Sequence, residues 1–177
     1  AALNQTLEER VEERTWALKC QNKKLQQLNK GLEEGLRESV RLLLTLVESS
    51  NPKLGGCMRA CGSLARQMAA TAGLDAETQV QVELAGQVCD IGLLGISEMI
   101  LEKDESSLSP KEFDVYAQHP EIAALSLSSV SGLKAIGDLV AAHHENVDGT
   151  GFPHGLKGDD LSMGAKILAV AADFCMM

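Results

Sequence analysis

Three observations predict an all-α fold, a bundle of helices behind one long amino-terminal helix. From Leu7 to about Val47 the chain is rich in Leu, Glu, Lys, Gln and Arg and has no proline, so helix propensity and patterning agree. Downstream, apolar runs are bracketed by helix caps and stops: Asp75 ahead of one run, Ser109-Pro110-Lys111-Glu112 ahead of another, Gly73 behind a third. No stretch of useful length alternates apolar and polar residues as a strand would.

The long helix carries a seven-residue apolar series, Val11, Leu18, Leu25 and Leu32, and an offset series of Leu7, Leu28 and Leu42 interrupted by Arg14, Gln21 and Gly35. These are the two seam positions of a coiled coil. Such a stripe is buried either by folding back on its own domain or by a second copy, and the heptad repeat favours a parallel homodimer. Residues 1–50 are therefore read as a dimerisation and signalling helix. The boundary falls at Ser49-Ser50-Asn51-Pro52, a turn-forming run, and residues 51–177 form the globular domain.

In that domain a second helix is expected over about Cys57–Ala72 and a third from Asp75 to about Ile91. A short one follows over Ser97–Lys103. A fifth opens at the Ser109 capping box and carries Phe113, Tyr116 and His119 until Pro120 breaks it; Glu121–Ser128 makes another short piece. Leu133–Glu145 and Met163–Met177 complete the set. The last run reaches Met177 with no stop signal, so the chain is expected to continue beyond it.

With 177 residues, a net charge of -9 and 45% hydrophobic residues, the chain can bury one real core. Its acidity argues against a nucleic-acid polymer or an anionic membrane as partner, since either calls for a basic surface. No apolar stretch reaches membrane-spanning length, and the start lacks a secretion-signal pattern. Five cysteines without paired spacing point to free thiols and a cytoplasmic location.

The stretch His143-His144-Glu145-Asn146-Val147-Asp148-Gly149-Thr150-Gly151-Phe152-Pro153-His154-Gly155-Leu156 joins two imidazoles to a glycine-rich loop. It resembles the signature of HD-GYP domains, with Phe152 where tyrosine is usual. The resemblance extends to Asp90-Ile91-Gly92, His119-Pro120-Glu121-Ile122 and Lys166-Ile167-Leu168-Ala169. It implies an HD-type helical bundle and the chemistry of metal-dependent phosphodiesterases in bacterial cyclic di-GMP signalling. It also implies that Asp90, His119, His143 and His144 are metal ligands, with Asp90 taking part in catalysis if the domain is active. The opening of the long helix resembles the connectors that follow receiver or sensor domains in two-component proteins.

The chain departs from that pattern at several places. Cys89 replaces the histidine of the His-Asp pair, and Cys57 stands where a ligand histidine or glutamate is usual. Leu93 replaces a lysine, and Ala172 takes an aspartate position, with Asp173 displaced by one residue, about 100° around a helix. The expectation is a degenerate, inactive response-regulator output domain holding no metal or one weakly bound Fe, Mn or Zn. The alternative is an active phosphodiesterase with two or more metals and Asp173 recruited. Cys57 and Cys89 either form a soft zinc site with His119 and His143 or are small core residues. In the loop, Asp148, Gly149, Gly151, Phe152, Pro153 and Gly155 either contact a partner, a GGDEF-domain protein or cyclic di-GMP, or shape the turn, with Phe152 as a lid.

Overall fold

The computed structural model describes residues 2–130 and 132–176. No strand occurs among them; one isolated antiparallel bridge joins Asp148 to Lys157, and the all-α class is borne out. No helix among the described residues is long and apolar enough to cross a membrane. The chain divides into two compact units, one ending at Ser39 and the other beginning at Val40.

The first unit is the leading part of α1 (Ala2–Ser50). Leu7, Val11, Leu18, Leu25, Leu28 and Leu32 are all exposed along it. The stripe that the heptads define therefore has no cover within this unit.

The second unit takes in the last turns of α1, where Val40, Leu44 and Val47 are buried. Spaced by four and three, they share one helix face. Leu44 and Val47 form a core cluster with Met58, against which Leu54 and Ile91 pack. Hence the globular unit starts at Val40 and not at Asn51, because this face covers α2 (Pro52–Thr71). The helix also starts earlier than Cys57: Asn51 Oδ1 accepts from the Leu54 amide at 3.0 Å, and Pro52 fills the first turn, where its missing N–H costs nothing. Across the turn Arg59 donates to both carboxylate oxygens of Glu48, at 2.7 and 2.5 Å.

Asp75 caps α3 (Ala76–Gly86) as expected, accepting from the Thr78 amide at 3.0 Å, but the helix ends at Gly86 and not near Ile91. The chain turns through Gln87–Asp90 into a 3-10 segment, Ile91–Gly95. Within it Gly92 packs directly on the neighbouring helix: a Cβ at this position would stand 2.2 Å from the His119 carbonyl oxygen.

After α4 (Glu98–Leu101), the full capping box of Ser109 and Glu112 opens α5 (Pro110–Tyr116). That helix stops at Tyr116, and His119 and Pro120 open α6 (His119–Ser128) instead of closing α5. Proline fits a first helical turn, whose N–H groups have no intrahelical acceptor. α7 (Lys134–Ala141) ends short of the expected Glu145, and α8 (Met163–Met176) closes the described chain. Within the second unit α2 lies against α3 and α8, and α6 against α7.

Candidate metal centre

Four side chains converge: one ligand atom each from Asp90, His119, His143 and His144 lies within 4.8 Å of all the others. Asp90 comes from the turn after α3, His119 from the first residue of α6, and the paired histidines from the turn after α7. Two residues in succession on a helix point about 100° apart. Because α7 stops at Ala141, both imidazoles reach the centre, with ring centroids 4.1 Å apart.

Their hydrogen bonds fix the tautomers. His119 Nδ1 lies 2.7 Å from the Tyr116 carbonyl oxygen and His143 Nδ1 2.6 Å from that of Val140. A carbonyl only accepts, so each Nδ1 donates, and in a neutral ring Nε2 is left with its lone pair. Those two Nε2 atoms lie 3.4 Å apart, and 3.5 and 3.4 Å from Asp90 Oδ1. Lone pairs and an anion this close repel one another unless a cation lies among them. Ligands about 2.1 Å from a tetrahedral ion sit roughly 3.4 Å apart.

Burial pushes the Asp90 carboxyl up, but where His119 and His143 are protonated their hydrogen bonds and charge outweigh it and hold Asp90 well below the usual carboxylate range; with both rings neutral, a bound cation would supply that positive charge. His144 is pushed down to about 2, by burial first and then by His143 and His119, so its ring stays neutral. Its Nε2 is buried with no hydrogen-bond partner among the described residues. An orphaned imidazole nitrogen beside two lone pairs and a carboxylate fits a divalent ion accepting N and O ligands.

The cysteines stand outside this group. Cys89 is buried, and its Sγ lies 3.4 Å from both the Gly86 carbonyl oxygen and Asp90 Oδ2. A hydrogen bond with Cys61, burial and the Asp90 charge all push the Cys89 thiol far up, so it stays protonated and points at the carboxylate. Cys57 is half-buried and lines a separate cavity of about 370 Å³ with Leu93, Lys53 and Tyr116. Of the two readings of these cysteines, the soft zinc site is not assembled.

A cavity of about 450 Å³ opens onto His143 and His144. Asp173 lines it and is exposed, so the one-residue displacement leaves this carboxylate at the mouth, outside the four-ligand group, while Ala172 is buried. Glu105, Phe113, Tyr116 and Asn146 also line it. Sequence reasoning missed Glu105, which sits in a 3-10 turn with no motif around it.

The signature loop shapes itself and covers the centre. Glu145 is buried and accepts from the His154 and Leu156 amides at 2.7 and 2.9 Å. Asp148 Oδ1 accepts from the Thr150 amide at 2.9 Å and hydroxyl at 2.7 Å. Gly149 and Gly155 have positive φ, and a Cβ at Gly151 would stand 2.4 Å from the His144 carbonyl oxygen. Phe152 precedes Pro153 through a cis peptide bond and stacks on His144, centroids 4.6 Å apart and 21° from parallel. Phe113 meets it edge-on at 5.5 Å. Phe152 is thus half-buried, packed on His144 and Phe113 at the edge of the cavity.

This fold is that of the HD proteins. The family model described as HD domain matches residues 41–177, and the chain belongs to that family. It is 32% identical over 169 residues to the cyclic di-GMP phosphodiesterase of Thermotoga maritima, covering 90% of this chain and 46% of that protein. It is likewise 32% identical over 160 residues to the cyclic di-GMP phosphodiesterase response regulator RpfG of Xanthomonas campestris pv. campestris, covering 89% and 42%. The chain thus spans less than half the length of these two relatives. Among solved structures, Bd1817, an HDG"Y"P protein from Bdellovibrio bacteriovorus, shares the fold at a TM-score of 0.57, with 21% identity over 66% of this chain and 38% of that one. The expected HD-GYP kinship is borne out by these matches.

Proposed function

We propose that this chain is an HD-domain output module of cyclic dinucleotide signalling that holds one divalent metal and does not hydrolyse its ligand. Asp90, His119, His143 and His144 would hold the ion. Bound there, it would polarise a phosphoryl oxygen or lower the pKa of a water. The observation that carries the reading is the composition of the cluster: Asp90 Oδ1 faces the imidazoles, Oδ2 already accepts a hydrogen bond from Cys89, and among the described residues no further carboxylate, thiol or imidazole joins the four.

The cavity supports the same reading. Glu105 and Asp173 put carboxylates at its mouth, and no Lys or Arg is among the residues lining it, so a phosphodiester there meets no charge-assisted donor. Leu93, buried, supplies an apolar side chain where the family's lysine is expected. Phe152 shields one face of His144 from water. We further propose that α1 pairs with a second copy of the chain through its exposed Leu and Val stripe and passes on the state of an upstream receiver or sensor domain. A GGDEF-domain partner would meet the loop at exposed Val147 and His154, since Phe152 is engaged within the chain.

The second reading, an active phosphodiesterase, is favoured by the activity that the relatives' names state. Incubation with cyclic di-GMP or 3′3′-cGAMP and added manganese or iron separates the two. No turnover is expected; turnover that His143→Ala abolishes would overturn the proposal.

A further inference from the structure

We infer that Cys89 is a positioning residue for the metal, its thiol holding Asp90 Oδ2 so that Oδ1 alone is presented to the three imidazoles. The inference rests on the single-metal reading above and adds a role for a residue that is not a ligand. The sulfur has one proton and three neighbours to receive it, the Gly86 carbonyl oxygen and Asp90 Oδ2, both at 3.4 Å, and the Cys61 sulfur, a weak acceptor. An ionised acceptor wins such a competition, because charge-assisted hydrogen bonds are about twice as strong as neutral ones. Cys89 is fully buried and Asp90 nearly so, which makes the thiol the one donor the structure gives Oδ2.

A carboxylate is free to rotate about its last bond and swap oxygens; one tied at Oδ2 is not. The tie on the far side of Asp90 therefore sets the direction of the lone pairs on Oδ1, which lies 3.5 and 3.4 Å from His119 and His143 Nε2. Metal ligands are commonly oriented by such outer hydrogen bonds, and removing one typically costs about 10 to 100-fold in metal affinity. Sγ itself is outside the group whose ligand atoms lie within 4.8 Å of one another.

The test is a cobalt(II) titration of the metal-free protein, followed in the visible and near-ultraviolet. Wild type is expected to take up one cobalt with d–d bands and no thiolate-to-cobalt charge-transfer band that depends on Cys89. Cys89→Ser keeps a donor and is expected to retain most of the affinity and the same d–d spectrum. Cys89→Ala removes the donor and is expected to bind about ten-fold more weakly, with shifted d–d bands and an unchanged far-ultraviolet dichroism spectrum. A charge-transfer band lost in Cys89→Ser would make the sulfur a ligand and overturn the inference. So would wild-type affinity in Cys89→Ala, or, should that variant not fold, a Cys89→Ser spectrum unlike wild type. No cobalt uptake by wild type would instead remove the metal reading itself.

Discussion

Glu145 shows how a buried charge can serve structure in the middle of a metal-site signature. Its carboxylate accepts two loop amides, from His154 and Leu156, and is almost fully buried. Glu145→Ala would leave both donors unpaired and is expected to lower unfolding free energy by about 2 kcal/mol or more in urea denaturation. An unchanged midpoint would show that the loop repacks. Glu112 gives the pH-dependent case. Its folded pKa is lowered from 4.5 to about 2, by Lys103 first and then by Ser109. A lowered carboxylate pKa contributes stability that is present above the unfolded value and lost as pH falls through the folded one. Protection factors of the amides at the start of α5, corrected for intrinsic exchange rates, are therefore expected to fall as pH drops from 4.5 toward 2, and those in Glu112→Gln to show no such step.

At the scale of elements, the centre depends on where helices stop. The capping signals at Asp75 and Ser109 were legible because each is a local contact between a side chain and an amide three residues on. That Asp90, His119, His143 and His144 belong together was legible too, through their resemblance to a known signature. Their convergence was not, since regular helix geometry would splay His143 and His144, and no glycine or proline marks the end of α7 at Ala141. The same holds for Gly92, which reads as a loop glycine but sits against the His119 carbonyl. Gly92→Ala is expected to cost about 1–3 kcal/mol by overpacking and, by displacing His119, to weaken metal binding. Gly95→Ala, in the same 3-10 segment with nothing within 4 Å, is the control and should change neither. Equal effects of the two substitutions would show that backbone entropy, and not contact with α6, governs the segment.

At the scale of the whole molecule, one unit offers an apolar stripe and the other a buried Asp and His cluster able to hold a metal. The stripe was legible as heptads, but the start of the globular unit at Val40 was not, because Val40, Leu44 and Val47 lie in a helix that looks uniform in sequence. Sedimentation equilibrium is expected to find a dimer for the chain and a shift toward monomer for Leu25→Asp, whose charge would sit in the seam. A wild-type monomer at high concentration would contradict the pairing. The central claim is that the cluster of Asp90, His119, His143 and His144 holds a single ion. The most direct measurement is the amount of iron, manganese, zinc and nickel per chain in protein purified without a histidine tag. The account predicts one metal per chain, lost in His143→Ala; two or more per chain, or none, would contradict it.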